Sequence, residues 1–391
     1  MKRIKAVDIF RGLCIFYMTF GHQIEWWVTE ADYWLYKIFW NLGAPVGGGG
    51  FLLVSGVSAA LSYRFKIRKY NQTHGFSKQS IRDEYMFRAL LILAISFIWN
   101  IGAVLIGLVD MGIKGVWIWF VIQTISISLI MAWPFLKTSK SLRVVVAFSL
   151  WIANEFIFAW LLPFKDQANG FGLLYYFLYN VSEQNVILAY FPFLLMGTVI
   201  GDTLYEIFSE ENLKDQKSLL KKKIYVPYTI GGTALAIFGI VFLFPAFFHK
   251  ETFSSHLFIF GIELILIAFL VWFKDDKGYQ PQKSYRLFIY YSYYSFSMFL
   301  GHNILYFLFP RMLNAFQVWF FIIPITILWT LLWRYIYRKV KRNAALKAHI
   351  GDLASYFSDK IENKRKAREI LKLSKSSEVS ASPKEEKREK S

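Results

Sequence analysis

Apolar residues fall into ten long runs, 7–28, 46–64, 87–108, 115–136, 143–163, 186–204, 224–247, 254–273, 287–309 and 316–338, with polar connections between them. Each is about the 20 residues that a helix needs to cross the hydrocarbon core of a bilayer. Backbone groups in lipid must be satisfied internally, and no run shows the two-residue alternation of a barrel strand. The pattern predicts an all-α polytopic membrane protein of about ten transmembrane helices.

The connections set the direction. Counting Lys and Arg, 22 fall before the first run and in the even-numbered connections, against five (Lys37, Lys114, Lys165, Lys250 and Arg311) on the other side. Positive residues stay in the cytoplasm, so both termini are expected there, in a multi-pass protein of the cell membrane. The opening Met1-Lys-Arg-Ile-Lys5 followed by an apolar run imitates a signal peptide. Asp8 and Arg11 interrupt that run and no small-residue cleavage site follows, so a retained first helix is expected. Residues 1–340 then form the membrane domain. In 341–372, Leu346, Ile350, Leu353, Phe357 and Ile361 share one helical face among Lys and Arg. This predicts an amphipathic cytoplasmic helix lying on anionic membrane lipid. Residues 373–391 are Ser-, Lys- and Glu-rich and are expected to be disordered.

Composition agrees. Hydrophobic residues make up 55 % of the 391 and charged residues 18 %, too little polar surface to wet a soluble globule of this size. The net charge of +18 follows from the inside bias and the basic tail, so nucleic acid is not an expected partner. A single cysteine, Cys14, excludes an internal disulfide and reads as a packing residue. Six histidines without ligand spacing predict no metal site.

Ionisable groups inside spans carry the functional expectation, because lipid makes them costly. Arg11 and His22 are eleven residues apart, three helical turns plus about 20°, so they share a face about 16 Å apart along the axis. Asp8 and Glu25 are their neighbours at three residues. The alternative is that Asp8 merely neutralises Arg11 and that His22 is an interface histidine. Gly47-Gly-Gly-Gly50 can offer N–H groups to an oxyanion or form a slack turn. Glu155, Glu263, His249, His256 and His302 are weaker candidates, and Asn180-Val-Ser182 is a glycosylation sequon on the outer side.

Val7-Asp-Ile-Phe-Arg-Gly-Leu13 with Phe20-Gly-His22 resembles the opening of integral-membrane acyltransferases, in which Arg and His stand at this separation. Ser55-Gly56 followed by Arg64 resembles their Ser-Gly motif, Arg82 and Arg88 their cytoplasmic arginine cluster, Phe191–Gly197 with Gly201 their mid-chain helix with paired glycines, and Ser295–His302 their late histidine helix. The resemblance spans roughly residues 5–310. It fits the acyltransferase-3 group and the heparan-α-glucosaminide N-acetyltransferase-like group; Met18 and Gly56-Val-Ser58 lean to the second. The Arg-x-x-Arg spacing of the first group is absent.

The resemblance implies transfer of an acyl group, acetyl above all, from cytoplasmic acyl-CoA to a hydroxyl or amine of an envelope glycan or lipid. His22 would be base or acyl carrier, Glu25 its orienting partner, Arg11 and His302 further catalytic residues. Arg64, Arg68, Arg82 and Arg88 would hold the donor phosphates. A transporter using Arg11, His22, Glu155 and Glu263 as a relay is the alternative. The topology is directly testable. A reporter active only outside should report when fused after about residue 168 or 251 and stay silent after 75, 140, 218 or 280; any exchange between the two sets refutes the orientation.

Overall fold

The computed structural model describes residues 4–73, 77–105, 115–180, 185–244, 252–277 and 286–381. His249 and residues 382–391 lie outside the described residues. The helices are α1 (Lys5–Trp27), α2 (Trp34–Gly43), α3 (Gly48–Thr73), α4 (Lys78–Leu105), α5 (Val121–Phe135), α6 (Lys140–Leu161), α7 (Gly170–Leu178) and α8 (Ile187–Phe208). They continue as α9 (Leu213–Leu220), α10 (Val226–Phe242), α11 (Phe253–Val271), α12 (Arg286–Tyr293), α13 (Ser295–Gly301), α14 (Gln317–Lys339) and α15 (Leu346–Ala381). Among the described residues no strand forms beyond an isolated bridge, Val28 with Leu313. The protein is an all-α polytopic membrane protein.

Seven described helical stretches are long and apolar enough to cross a membrane, and α5 is a shorter apolar helix of 15 residues. The other expected spans depart for physical reasons. The first, α1, carries Asp8, Arg11, His22 and Glu25 within its 23 residues. The ninth is broken at Tyr294, between α12 and α13, and ends in a 3-10 turn, His302–Phe307. These less apolar or irregular segments lie inside the bundle, where protein rather than lipid meets their polar groups. The outer helices face the other way: Ile98, Phe156, Ile230, Val241 and Phe320 are between 62 % and 70 % exposed. Lipid covers such a surface.

Without a hydrophobic force between helices in lipid, close packing sets their arrangement, and small residues permit it. α8 is buried almost end to end and is crossed by α3 at glycines. A Cβ on Gly56 would lie 1.9 Å from the Leu194 carbonyl oxygen, and one on Gly197 would lie 2.0 Å from that of Leu53. Gly12 brings α1 equally close to α12, where a Cβ would fall 2.1 Å from the Phe288 carbonyl oxygen. The glycines that follow Arg11 and Ser55 in the sequence are therefore contact points between backbones.

α15 packs along α4 through Ile350, Ala354, Ser358 and Glu362. Leu353 and Phe357, on the apolar face expected to meet lipid, are exposed. The partner is a helix rather than lipid alone, so the buried stripe holds small and polar residues. Ser358 shares a 3.0 Å hydrogen bond with the Ser80 hydroxyl. Glu362 accepts from the Ser77 N–H (3.1 Å) and hydroxyl (2.8 Å). Burial pushes the Glu362 carboxyl up, but those donors and Lys366 hold it below its usual value, so the contact is ionised at neutral pH. The helix also continues to Ala381, past residue 373, where a separate tail was expected to begin.

Gly56→Val should lower the thermal midpoint in detergent, because overpacking costs about 1–3 kcal/mol and backbone here leaves no slack. Gly102→Ala is the control: nothing lies within 4 Å of a Cβ there, and the midpoint should not fall.

Candidate active site

α1 supplies both ends of the site. Near its C-terminus the His22 imidazole Nδ1 lies 2.9 Å from Glu25 Oε2. One turn of helix gives this spacing, and the pairing holds the imidazole orientation. The Tyr33 hydroxyl donates to Glu25 Oε1 at 3.5 Å, and the Arg311 guanidinium lies over the Tyr33 ring, 4.8 Å from its centroid. Trp26 stacks on His22 at 5.0 Å and on His302 at 5.4 Å, and the two imidazoles are 5.3 Å apart between centroids. The sequence brings these distant residues together through backbone. The Trp27 indole donates to the Leu305 carbonyl (2.8 Å), the Arg311 N–H to that of Trp26 (2.8 Å) and the Leu313 N–H to that of Trp27 (2.9 Å). His302 is buried; its Nδ1 bonds the Phe299 carbonyl, and its Nε2 has no hydrogen-bond partner.

Three turns earlier on α1, Arg11 is 8 % exposed. Its guanidinium donates to Ser58 and, at 3.3 Å, to Ser292, and lies 3.6 Å from Asp8. Ser292 in turn donates to Asp8 at 3.3 Å. A planar five-donor group suits this divided set of acceptors.

Two cavities flank these groups. One, of about 360 Å³, is lined by His22, Glu25, Trp26, Asn185, His302 and Asn303, among others. Gly47 and Gly48 also line it; the run Gly48–Gly50 opens α3 rather than forming a loose turn. The second cavity, of about 310 Å³, is lined by Arg11, Ser55, Ser58, Arg88 and Lys347. Phe51 and Phe299 line both and so form the wall between them. A third, more open space of about 230 Å³ at Asp8, Arg11, Arg88, Tyr293 and Lys347 adjoins the second through shared residues. An imidazole–carboxylate pair thus faces one chamber and guanidinium groups face the next, with apolar rings between.

The structure separates the four expected donor arginines. Arg88 lines the cavity with Arg11. Arg64 instead makes a two-pronged contact with Asp202, 2.7 Å for each hydrogen bond, and Arg143 binds the same carboxylate. Arg82 pairs with Asp83 and Arg68 is exposed; neither lines a described cavity. Ser55 lines the second cavity and bonds its own helix at the Phe51 carbonyl, while Gly56 serves packing. Glu155 accepts from the Phe253 N–H at 2.7 Å and so caps α11. His256 stacks on Trp151, and Glu263 is buried beside Gly49. The Asn180 amide is buried and bonds the Trp117 carbonyl. Sequence reasoning gave no site role to Ser58, Asn303 or Lys347. Asn303 follows His302 directly and Ser58 stands two residues past Gly56, whereas Lys347 is one lysine in a basic segment and carries no local signal.

The fold and site define a polytopic helical membrane protein with ionisable groups facing two interior chambers. The chain belongs to the family described as heparan-alpha-glucosaminide N-acetyltransferase, catalytic: that family's model matches residues 3–243, more than half the chain. No curated protein sequence matches it. The matched stretch contains Arg11, His22, Glu25, Ser55 and Arg88; His302 and Lys347 lie beyond it.

Asp202→Asn should unfold the protein at lower temperature, because it leaves Arg143, 1 % exposed, without its counter-charge. Breaking one side of a buried pair costs about 3–5 kcal/mol. Thermal melts in detergent read this, with Arg68→Ala as the variant expected to match wild type.

Proposed function

We propose that the protein moves an acetyl group from cytoplasmic acetyl-CoA to an amine or hydroxyl of an envelope glycan or lipid, with His22 as general base. One observation carries the reading: the His22–Glu25 pair lines a chamber whose Phe51–Phe299 wall is shared with the chamber lined by Arg11 and Arg88. The excess of positive connections supports a cytoplasmic location for the arginine-lined chamber and for both termini. Acyl-CoA is anionic at its phosphates and neutral at its thioester, and it would enter phosphates last. Arg11 and Arg88 give the charge-assisted hydrogen bonds such phosphates or the thioester oxygen accept. The Phe51–Phe299 wall is where the acetyl group would meet the acceptor.

Glu25 on Nδ1 favours the tautomer with its proton there, which leaves the Nε2 lone pair as base. The acceptor nitrogen or oxygen attacks the thioester carbonyl carbon while Nε2 takes the acceptor proton. The carbon–sulfur bond then breaks, the CoA thiolate leaves, and the imidazolium returns the proton to sulfur. His302 and Asn303 stand on the acceptor side, where polar ring and amide groups would bind glycan hydroxyls.

His22→Gln keeps volume and hydrogen bonding but removes the base. Transfer from radiolabelled acetyl-CoA to an envelope extract should fall about 10²–10⁴-fold with CoA binding intact. No label should remain on the protein when donor is given alone. Transfer at the wild-type rate by His22→Gln removes His22 from the mechanism and passes its role to His302.

A further inference from the structure

The first turn of α15 reaches the arginine-lined chamber. Lys347 and Ile350 line the 310 Å³ cavity, and Ala345, Lys347 and Ala348 line its open neighbour. Counting from Lys347, the residues Ile350, Ala354, Ser358, Glu362 and Arg365 follow at intervals of three, four, four, four and three. Such spacing is one continuous helical stripe. Its first turn faces the cavity and the later turns are fixed to α4: Ser358 to Ser80, Glu362 to Ser77, and Arg365 to Asp83 at 2.6 Å. The N-terminal end is fixed as well. The Leu346 N–H donates to Ser297 Oγ (3.0 Å), Ser297 donates to the Ala344 carbonyl (2.7 Å), and the Tyr294 hydroxyl donates to that of Lys341 (2.7 Å). α15 is thus a strap held from its N-terminus to Arg365, with its first turn at the mouth of the chamber.

The charges at that mouth are three cations, Arg11, Arg88 and Lys347, and one anion, Asp8. Arg11 and Ser292 engage the Asp8 carboxylate, so the chamber presents net positive charge to what enters it.

We propose that Lys347 is a ligand for a donor phosphate and that α15 is the strap that positions it, so the segment after α14 completes the donor site. This rests on the reading of acetyl-CoA as donor. A lysine is a mobile point charge suited to a phosphate oxygen, and the rigid strap confines it to the mouth. Ser77, Ser80 and Asp83 act through α15 and are positioning residues.

The test is titration of CoA into the purified full chain. Lys347→Ala should weaken CoA binding about tenfold, the worth of one charge-assisted hydrogen bond, and Lys347→Glu more. Lys347→Arg should restore most of the affinity, which a merely structural role for the side chain would not require. Ser358→Arg, which wedges the strap from α4, should weaken CoA binding like Lys347→Ala although Lys347 is still present. The same variants should raise KM for acetyl-CoA. Wild-type affinity in Lys347→Ala and Lys347→Glu, with CoA bound by wild type, overturns the proposal. Wild-type affinity in Ser358→Arg overturns the strap's part in it. No CoA binding by wild type overturns the donor reading itself, and that result is seen before any variant is compared.

Discussion

Four ionisable side chains on one membrane helix impose the constraint that shapes the rest of the molecule. Asp8, Arg11, His22 and Glu25 on α1 are each too costly to leave to lipid. Each needs a partner from protein, and the partners come from α1 itself, from Tyr33 just before α2, and from farther along the chain: Ser58 from α3 and Ser292 from α12. α1 therefore has to lie inside the bundle, and the helices beside it have to approach closely. Gly12 against Phe288 and Gly56 against Leu194 permit that approach. The helices that lack such groups are displaced to the outside, where their apolar faces meet lipid.

The same constraint divides the interior. Polar groups gather at two levels of α1, three turns apart, and the level between is filled by Phe51 and Phe299. A water-excluding wall between an imidazole–carboxylate pair and a guanidinium cluster suits group transfer between two compartments. In the proposed reaction each reactant would have its own chamber, and they would meet where electrostatic interactions are least screened. The hydrogen bond from His302 Nδ1 to the Phe299 carbonyl ties one face of this wall to the histidine side of the site.

Much of this was legible in the sequence where local period decides. A separation of three from His22 to Glu25 gives a contact, and the structure has it. The all-α membrane fold followed from run length. Pairings across the chain were not legible. Arg64 resembled a donor ligand, yet its carboxylate partner, Asp202, lies 138 residues away and Arg143 shares it. Nothing in local pattern distinguishes a guanidinium held by a distant aspartate from one facing a ligand. α15 carries a second stripe that local pattern does not announce. Its apolar residues marked one face, but the stripe buried on α4 is Ile350, Ala354, Ser358 and Glu362, because a serine- and aspartate-bearing helix is its partner. The ninth span read as continuous, whereas it divides at Tyr294 into α12 and α13, and the Tyr294 hydroxyl donates to the distant Lys341 carbonyl.

In the proposed reaction, donor and acceptor reach the Phe51–Phe299 wall from opposite faces of the membrane. Proteoliposomes of uniform orientation test it, with radiolabelled acetyl-CoA supplied only on the α15 side and glucosamine, as amine acceptor, only on the other. Labelled N-acetylglucosamine is expected on the glucosamine side, and none when the two are exchanged. Product formed only when both reactants are on the same side would contradict it.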